Sequence, residues 1–133
     1  MNLRLFNLGS TATVSLQRVN LTGAKSPNGA ERKAGQDGGG LISNATAPWV
    51  NYCIVAGNTP DDISGVALIG TENITSGDPL LAPLSNNGGS TFTMPPLAGA
   101  PAIHTATSST SRFDQRGLPR NGTADIGATE ADD

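Results

Sequence analysis

The segment Val14-Ser-Leu16-Gln-Arg-Val19-Asn-Leu21-Thr-Gly23 returns 34 residues later as Pro48-Trp-Val50-Asn-Tyr-Cys53-Ile-Val55-Ala-Gly57. In both copies small or apolar residues take the first, third, sixth and eighth places, and glycine takes the tenth. Alternation with a period of two predicts a short strand on either side of a two-residue corner, and the corner resets which face points inward. The closing glycine suits a turn with positive φ. A similar lead-in precedes each copy, Leu5-Phe-Asn-Leu-Gly9 and Leu41-Ile-Ser-Asn-Ala45, the second one following Gly38-Gly-Gly40.

A unit of this size cannot bury its own apolar face. It becomes stable by stacking on the next unit at the strand spacing of about 4.8 Å. The expected fold is therefore all-β, a short parallel β-helix (solenoid) with a C-terminal capping segment. Coils are expected over 1–77, with a loop excursion at 24–37, and a closing segment of the same domain over 78–133.

Composition agrees with many turns and short strands. Hydrophobic residues make up 36% and aromatics 4% of the 133 residues, while Gly numbers 17 and Pro 9, so small side chains have to fill the core. The net charge is −3, and no Lys or Arg stands between Ala34 and Ser111, a stretch that holds Asp37, Asp61, Asp62, Glu72 and Asp78. Such a surface repels a phosphate backbone, so nucleic acid is not an expected partner. The lone Cys53 allows no intrachain disulfide, and its inward place in the repeat predicts a core thiol. Nothing approaches about 20 consecutive apolar residues, so direct membrane insertion is not expected either.

Several blocks in order resemble bacterial extracellular β-helix proteins that carry the choice-of-anchor Q domain, relatives of pectate-lyase-like solenoids. The blocks are Gly38-Gly-Gly-Leu-Ile-Ser-Asn44 with Cys53-Ile-Val-Ala-Gly-Asn58, then Asp78-Pro-Leu-Leu-Ala-Pro-Leu-Ser-Asn-Asn-Gly-Gly-Ser-Thr-Phe-Thr93 and Gly99-Ala-Pro-Ala-Ile103, and last Asp114-Gln-Arg-Gly-Leu-Pro-Arg120 with Asp125-Ile-Gly-Ala-Thr-Glu130. The resemblance implies a right-handed coil and an extracellular or cell-surface location. Where the family continues Pro-Ala-Ile with Asp and Gly, this chain has His104 and Thr105. Members are normally longer, with a signal peptide and more coils, so a truncated, excised or degenerate copy is expected.

The densest constellation of charge is Arg112, Asp114, Arg116, Arg120, Asp125 and Glu130. Gly117 and Pro119 rule out a helix here, so the arginines lie on an extended or turn segment. Guanidinium groups pair with carboxylates in two-pronged contacts, and Arg116 with Asp125 or Glu130 is expected to pin the terminal strand across the last coil. The alternative is a site for a sugar carboxylate or another anion. If the chain is an enzyme, Arg112, Asp114, Arg116 and His104 are the catalytic candidates of a polysaccharide lyase or hydrolase, where a base works beside a charge-neutralising group. No G-x-S-x-G elbow surrounds a serine to pair with His104. Asp61, Asp62 and Asp78 are the candidate ligands for Ca²⁺, although no D-x-D-x-D-G loop is present. Asn86-Asn-Gly-Gly89 reads as a tight turn before Thr91-Phe-Thr93.

Function follows from these residues as three expectations: a non-catalytic structural or binding segment that meets glycans or other surface proteins, a fragment of a carbohydrate-active enzyme, or a subunit that self-associates through exposed solenoid edges. No cofactor other than Ca²⁺ is suggested. The sequons at Asn20, Asn44, Asn73 and Asn121 arise from an Asn- and Thr-rich composition.

Overall fold

The computed structural model describes residues 6–8, 15–23, 38–43, 48–59, 61–65 and 67–132. The excursion expected at 24–37 lies outside them. Seven short strands are present, β1 (Phe6–Leu8), β2 (Ser15–Gln17), β3 (Asn20–Leu21), β4 (Gly38–Ser43), β5 (Trp49–Asn51), β6 (Ile54–Val55) and β7 (Asp61–Gly65). With no helix among the described residues, the chain is all-β, as its composition predicts.

The strands form three small sheets, ordered β1-β4-β7, β2-β5 and β3-β6, and every strand pair is parallel. Leu16 lies opposite Val50 and Leu21 opposite Val55, the same 34-residue register that the repeat shows. The lead-in differs by one residue, because Phe6 and not Leu5 pairs with Leu41. The first pass carries one residue more between its lead-in strand and β2, and a one-residue slip exchanges the two faces of a strand.

A third pass, not evident from the sequence, lies on the second. Leu41 pairs with Ile63 of β7, and single parallel pairs join Trp49 to Ile69 and Ile54 to Ile74. The offset is 22 residues at Leu41 and 20 at the two single pairs, the latter shorter than 34 by 14, the length of segment 24–37. Leu68-Ile-Gly70-Thr-Glu72-Asn73-Ile-Thr-Ser-Gly77 is thus a third copy of the unit, masked by Gly70, Asn73 and Thr75 at places that hold Val50, Cys53 and Val55 in the second. The backbone betrays it. Arg18, Tyr52 and Glu72 occupy equivalent corners with φ of 53°, 56° and 54°, and Gly23, Gly57 and Gly77 equivalent turns with φ of 71°, 73° and 78°. Asn73 holds the polar third corner against the second, its Oδ1 accepting from Cys53 N at 2.9 Å and its Nδ2 donating to Val50 O at 2.6 Å.

Leu16, Leu21, Leu41, Val50, Cys53 and Val55 form one apolar cluster. Cys53 is buried there, as its place in the repeat predicts, and burial pushes its thiol above the usual range. Ile54 belongs to a second cluster with Ala56, Ala102, Ala106, Ala124 and Ile126, which ties residues 78–132 to the sheets. The segment expected to close the end of the stack makes its contacts along the side, touching all three passes. Asn20 Oδ1 accepts from Ala128 N at 3.1 Å, Tyr52 O accepts from Gly127 N at 2.8 Å, and the Glu72 carboxylate accepts from Ser108 N at 3.2 Å and from the Thr107 hydroxyl. Within it the pairings Leu81 with Pro96, Ser85 with Thr93, Ala106 with Ala124 and Phe113 with Pro119 are antiparallel. In place of the tight turn expected at Asn86–Gly89 there is a wider loop, 86–92, closed by the Ser85–Thr93 pair and braced by Asn87 Nδ2 donating to Thr93 O at 3.0 Å.

Two glycines separate close approach from backbone freedom. A Cβ at Gly70 (φ 141°) would lie 1.9 Å from Val50 O, whereas one at Gly77 (φ 78°) would meet nothing within 4 Å. Gly77→Ala should cost about 1–2 kcal/mol from left-handed backbone alone, and Gly70→Ala about 3 kcal/mol or more, because the second pass must move away. Denaturant midpoints of the two variants check this; equal losses would deny the close stacking of the third pass.

Candidate functional site

Gly117 and Pro119 break up the C-terminal segment, and its charged side chains turn inward at the resulting bends. Asp114 and Arg116 are both buried, and so are Asp125 and Glu130. Arg116 Nε donates to Asp114 Oδ2 at 2.8 Å, its Nη1 to Asp132 Oδ1 at 2.6 Å, and its Nη2 to Glu130 O at 2.8 Å. Arg120 Nη1 donates to Glu130 Oε2 at 2.7 Å and to Asp125 O at 3.0 Å, its Nη2 to Gly127 O at 2.9 Å, and its Nε to Phe113 O at 3.4 Å.

The pairing differs from expectation in its partners. The carboxylates on Arg116 are Asp114 and Asp132, while Glu130 pairs with Arg120 and gives Arg116 only its backbone carbonyl. Asp125 faces backbone instead, accepting from His104 N and from Ala131 N, each at 2.7 Å. Proximity along the chain explains the first pair, since Asp114 and Arg116 sit two residues apart at one bend. Asp132 had no sequence signal, being one acid among several near the C-terminus.

Four donors converge on Asp114: the N–H groups of Arg116, Leu118 and Glu130, and Arg116 Nε. Burial alone would raise its carboxyl, but these donors outweigh burial and hold it below the usual range. Burial likewise opposes the charge on Arg116, and Asp132 and Asp114 overcome it. Glu130 goes the other way. Burial and then the charge of Asp125 raise its carboxyl, Arg120 offsets them only in part, and Oε1 has no hydrogen-bond partner.

Of the four catalytic candidates, Asp114 and Arg116 therefore meet in a buried pair, and His104 is exposed with φ 55°. The guanidinium of Arg112, also exposed, takes no part in the network. Of the Ca²⁺ candidates, Asp62 Oδ1 accepts from Asn58 N at 2.8 Å and Nδ2 at 3.1 Å, and Asp78 Oδ1 accepts from Leu80 N at 2.9 Å in a turn. Only the backbone of Asp61 is described, in β7. Among the described residues no three His, Cys, Asp or Glu side chains gather as an ion would require. Asn58, quoted above only as part of a coil block, proves to be a cross-link, since its Nδ2 also donates to Leu21 O at 2.9 Å.

Open cavities flank this region among the described residues. One, of about 400 Å³, is lined by His104, Leu118, Asn121, Glu130 and Asp132 beside Arg116. A second, of about 420 Å³, lies between Arg18 and Asn20 on one side and Leu84, Phe92 and Gln115 on the other, and a third, of about 330 Å³, is lined by Pro95, Leu97, Ile103, Ala131 and Asp132.

Asp114→Asn should cost about 3 kcal/mol, because the buried Arg116 loses one of its two carboxylates and keeps only the exposed Asp132, whereas Arg112→Ala should stay within about 0.5 kcal/mol. The pH dependence has two opposed parts. The depressed Asp114 contributes stability that is present above its unfolded value and is lost as pH falls through its folded value. The raised Glu130 contributes stability below its unfolded value that is lost as pH rises through its folded value, so Glu130→Gln should flatten the loss on the high-pH side. Urea midpoints between pH 2 and 8 read both.

Comparison with protein-family models, with curated proteins and with solved structures finds no match to this chain.

Proposed function

We propose that the chain is a non-catalytic structural and binding segment of a bacterial surface or secreted protein, built as a right-handed parallel β-helix and akin to the choice-of-anchor Q proteins its C-terminal blocks resemble. Three passes in parallel register, with equivalent left-handed corners at Arg18, Tyr52 and Glu72, support the solenoid reading. The observation that carries the non-catalytic reading is the state of Arg116 and Arg120. Each of the three guanidinium nitrogens of Arg116 and of Arg120 donates to a group of the chain itself. An arginine that neutralises a substrate carboxylate needs donors aimed at open space, and these are aimed at the fold. The exposed walls of these cavities are then the surfaces offered to glycans or to neighbouring surface proteins.

A glycan-array screen of the purified chain, run with and without Ca²⁺ and with every hit assayed for new sugar ends, tests this. Binding without cleavage is expected. Cleavage that is lost in Arg112→Ala or Arg116→Lys, with folding retained, would make the chain a carbohydrate-active enzyme instead.

Self-association is a second reading, favoured by the strand order. Among the described residues, β1 pairs only with β4, β2 only with β5 and β3 only with β6, so each has one open edge. Static light scattering over a wide concentration range should show mass rising with concentration, and a monomer throughout would remove this reading.

A further inference from the structure

The three passes set their equivalent residues in columns, and the corner column carries opposite charges at its two ends. Arg18 stands on the first pass, Tyr52 on the second and Glu72 on the third, each with left-handed backbone. The ion pairs among the described residues are Arg116 with Asp114 and Asp132, and Arg120 with Glu130, so neither Arg18 nor Glu72 has an opposite charge as partner there. The Arg18 guanidinium lies over one face of the Tyr52 ring, and its Nη1 donates to Gln17 Oε1 at 3.3 Å at the surface. The Glu72 carboxylate is held in place by the Thr107 hydroxyl and Ser108 N.

Both ends of the stack also carry unmatched backbone. On the first pass β1, β2 and β3 have one strand neighbour each among the described residues. On the third, Ile69 and Ile74 direct N–H and C=O to the second pass, while Gly70 and Thr75, both exposed, have no backbone partner among the described residues. Residues of a parallel strand bond alternately to its two neighbours, so these free groups point away from the second pass.

From these features we infer that the chain assembles head to tail, the third pass of one copy seating on the first pass of the next. Continuing the columns brings Glu72 of one copy to Arg18 of the next at about the 4.8 Å strand spacing, and lays Ile74 on Asn20. The 420 Å³ cavity opens beside Val19 and Asn20, and two of its walls, Leu84 and Phe92, are each 62% exposed, an apolar surface ready to cover that isoleucine. Joining two like ends reverses the winding of one copy, which makes parallel pairing around the coil impossible. A head-to-tail contact does not close on itself, so growth continues past the dimer. This inference rests on the self-association reading and gives it two faces and a direction.

Light scattering and sedimentation of the purified chain and of charge-reversed variants test it. Mass should rise with concentration past the dimer, and about 0.5 M NaCl should weaken the rise. Arg18→Glu and Glu72→Arg should each raise the concentration needed for half association about tenfold. Arg112→Glu, which changes net charge as Arg18→Glu does, should leave it unmoved. An equimolar mixture of the two reversed chains should recover association, because Glu72 of one meets Arg18 of the other and the reversed charges meet in turn. Circular dichroism checks that each variant folds; where a reversal does not, Arg18→Gln or Glu72→Gln takes its place and should abolish the salt dependence. Association that stops at the dimer, that ignores both reversals, that the mixture fails to restore, or whose salt dependence survives in the glutamine variants overturns this interface while self-association stands. A monomer at every concentration removes the self-association reading with it.

Discussion

Parallel backbone pairing between successive passes of the chain is the constraint from which the other contacts follow. Once Leu16 lies on Val50 and Leu21 on Val55, every corner residue is placed above its counterpart. The guanidinium of Arg18 lies over the Tyr52 ring, 5.3 Å from its centre, a contact between corner residues that the 34-residue register makes neighbours. The same register turns Ile54 outward beside an inward Val55, and so decides which side of the passes the C-terminal segment must cover.

The third pass lays Ile63 and Leu68 on one apolar cluster and Ile74 on the other, and polar contacts hold the rest. Gly70 brings backbone close to Val50 O, and Asn73 answers two backbone groups of the corner it lies against. Polar side chains serve here because they stand next to hydrogen-bonding groups of the second pass that would otherwise be left unmatched. Asn58 works in the same manner between Leu21 and Asp62, so two asparagines and one close-packed glycine do what larger apolar residues do nearer the core.

The C-terminal segment solves a different problem, how a chain with few apolar residues holds a long irregular stretch in place. Its apolar share is small, mainly alanines and Ile126 on Ile54, and the rest of its order comes from carboxylates and guanidinium groups that satisfy backbone at the bends. Buried ion pairs add little net stability against well-packed apolar residues, but removing one partner is costly. Such a network favours one arrangement of the bends over others.

The sequence by itself determined the repeat, its 34-residue register, the inward place of Cys53 and the clustering of charge after Arg112. All of these are local or periodic properties, written in the order of side chains. Tertiary structure alone decided that Leu68–Gly77 is a third copy, since backbone pairing tolerates Gly70 and Asn73 where side-chain comparison does not. It alone decided that Arg116 takes Asp114 and Asp132 while Arg120 takes Glu130, because partner choice among several acids depends on the paths of the bends and not on spacing along the chain. It also placed the C-terminal segment along the flank, where its alanines and Ile126 bury Ile54.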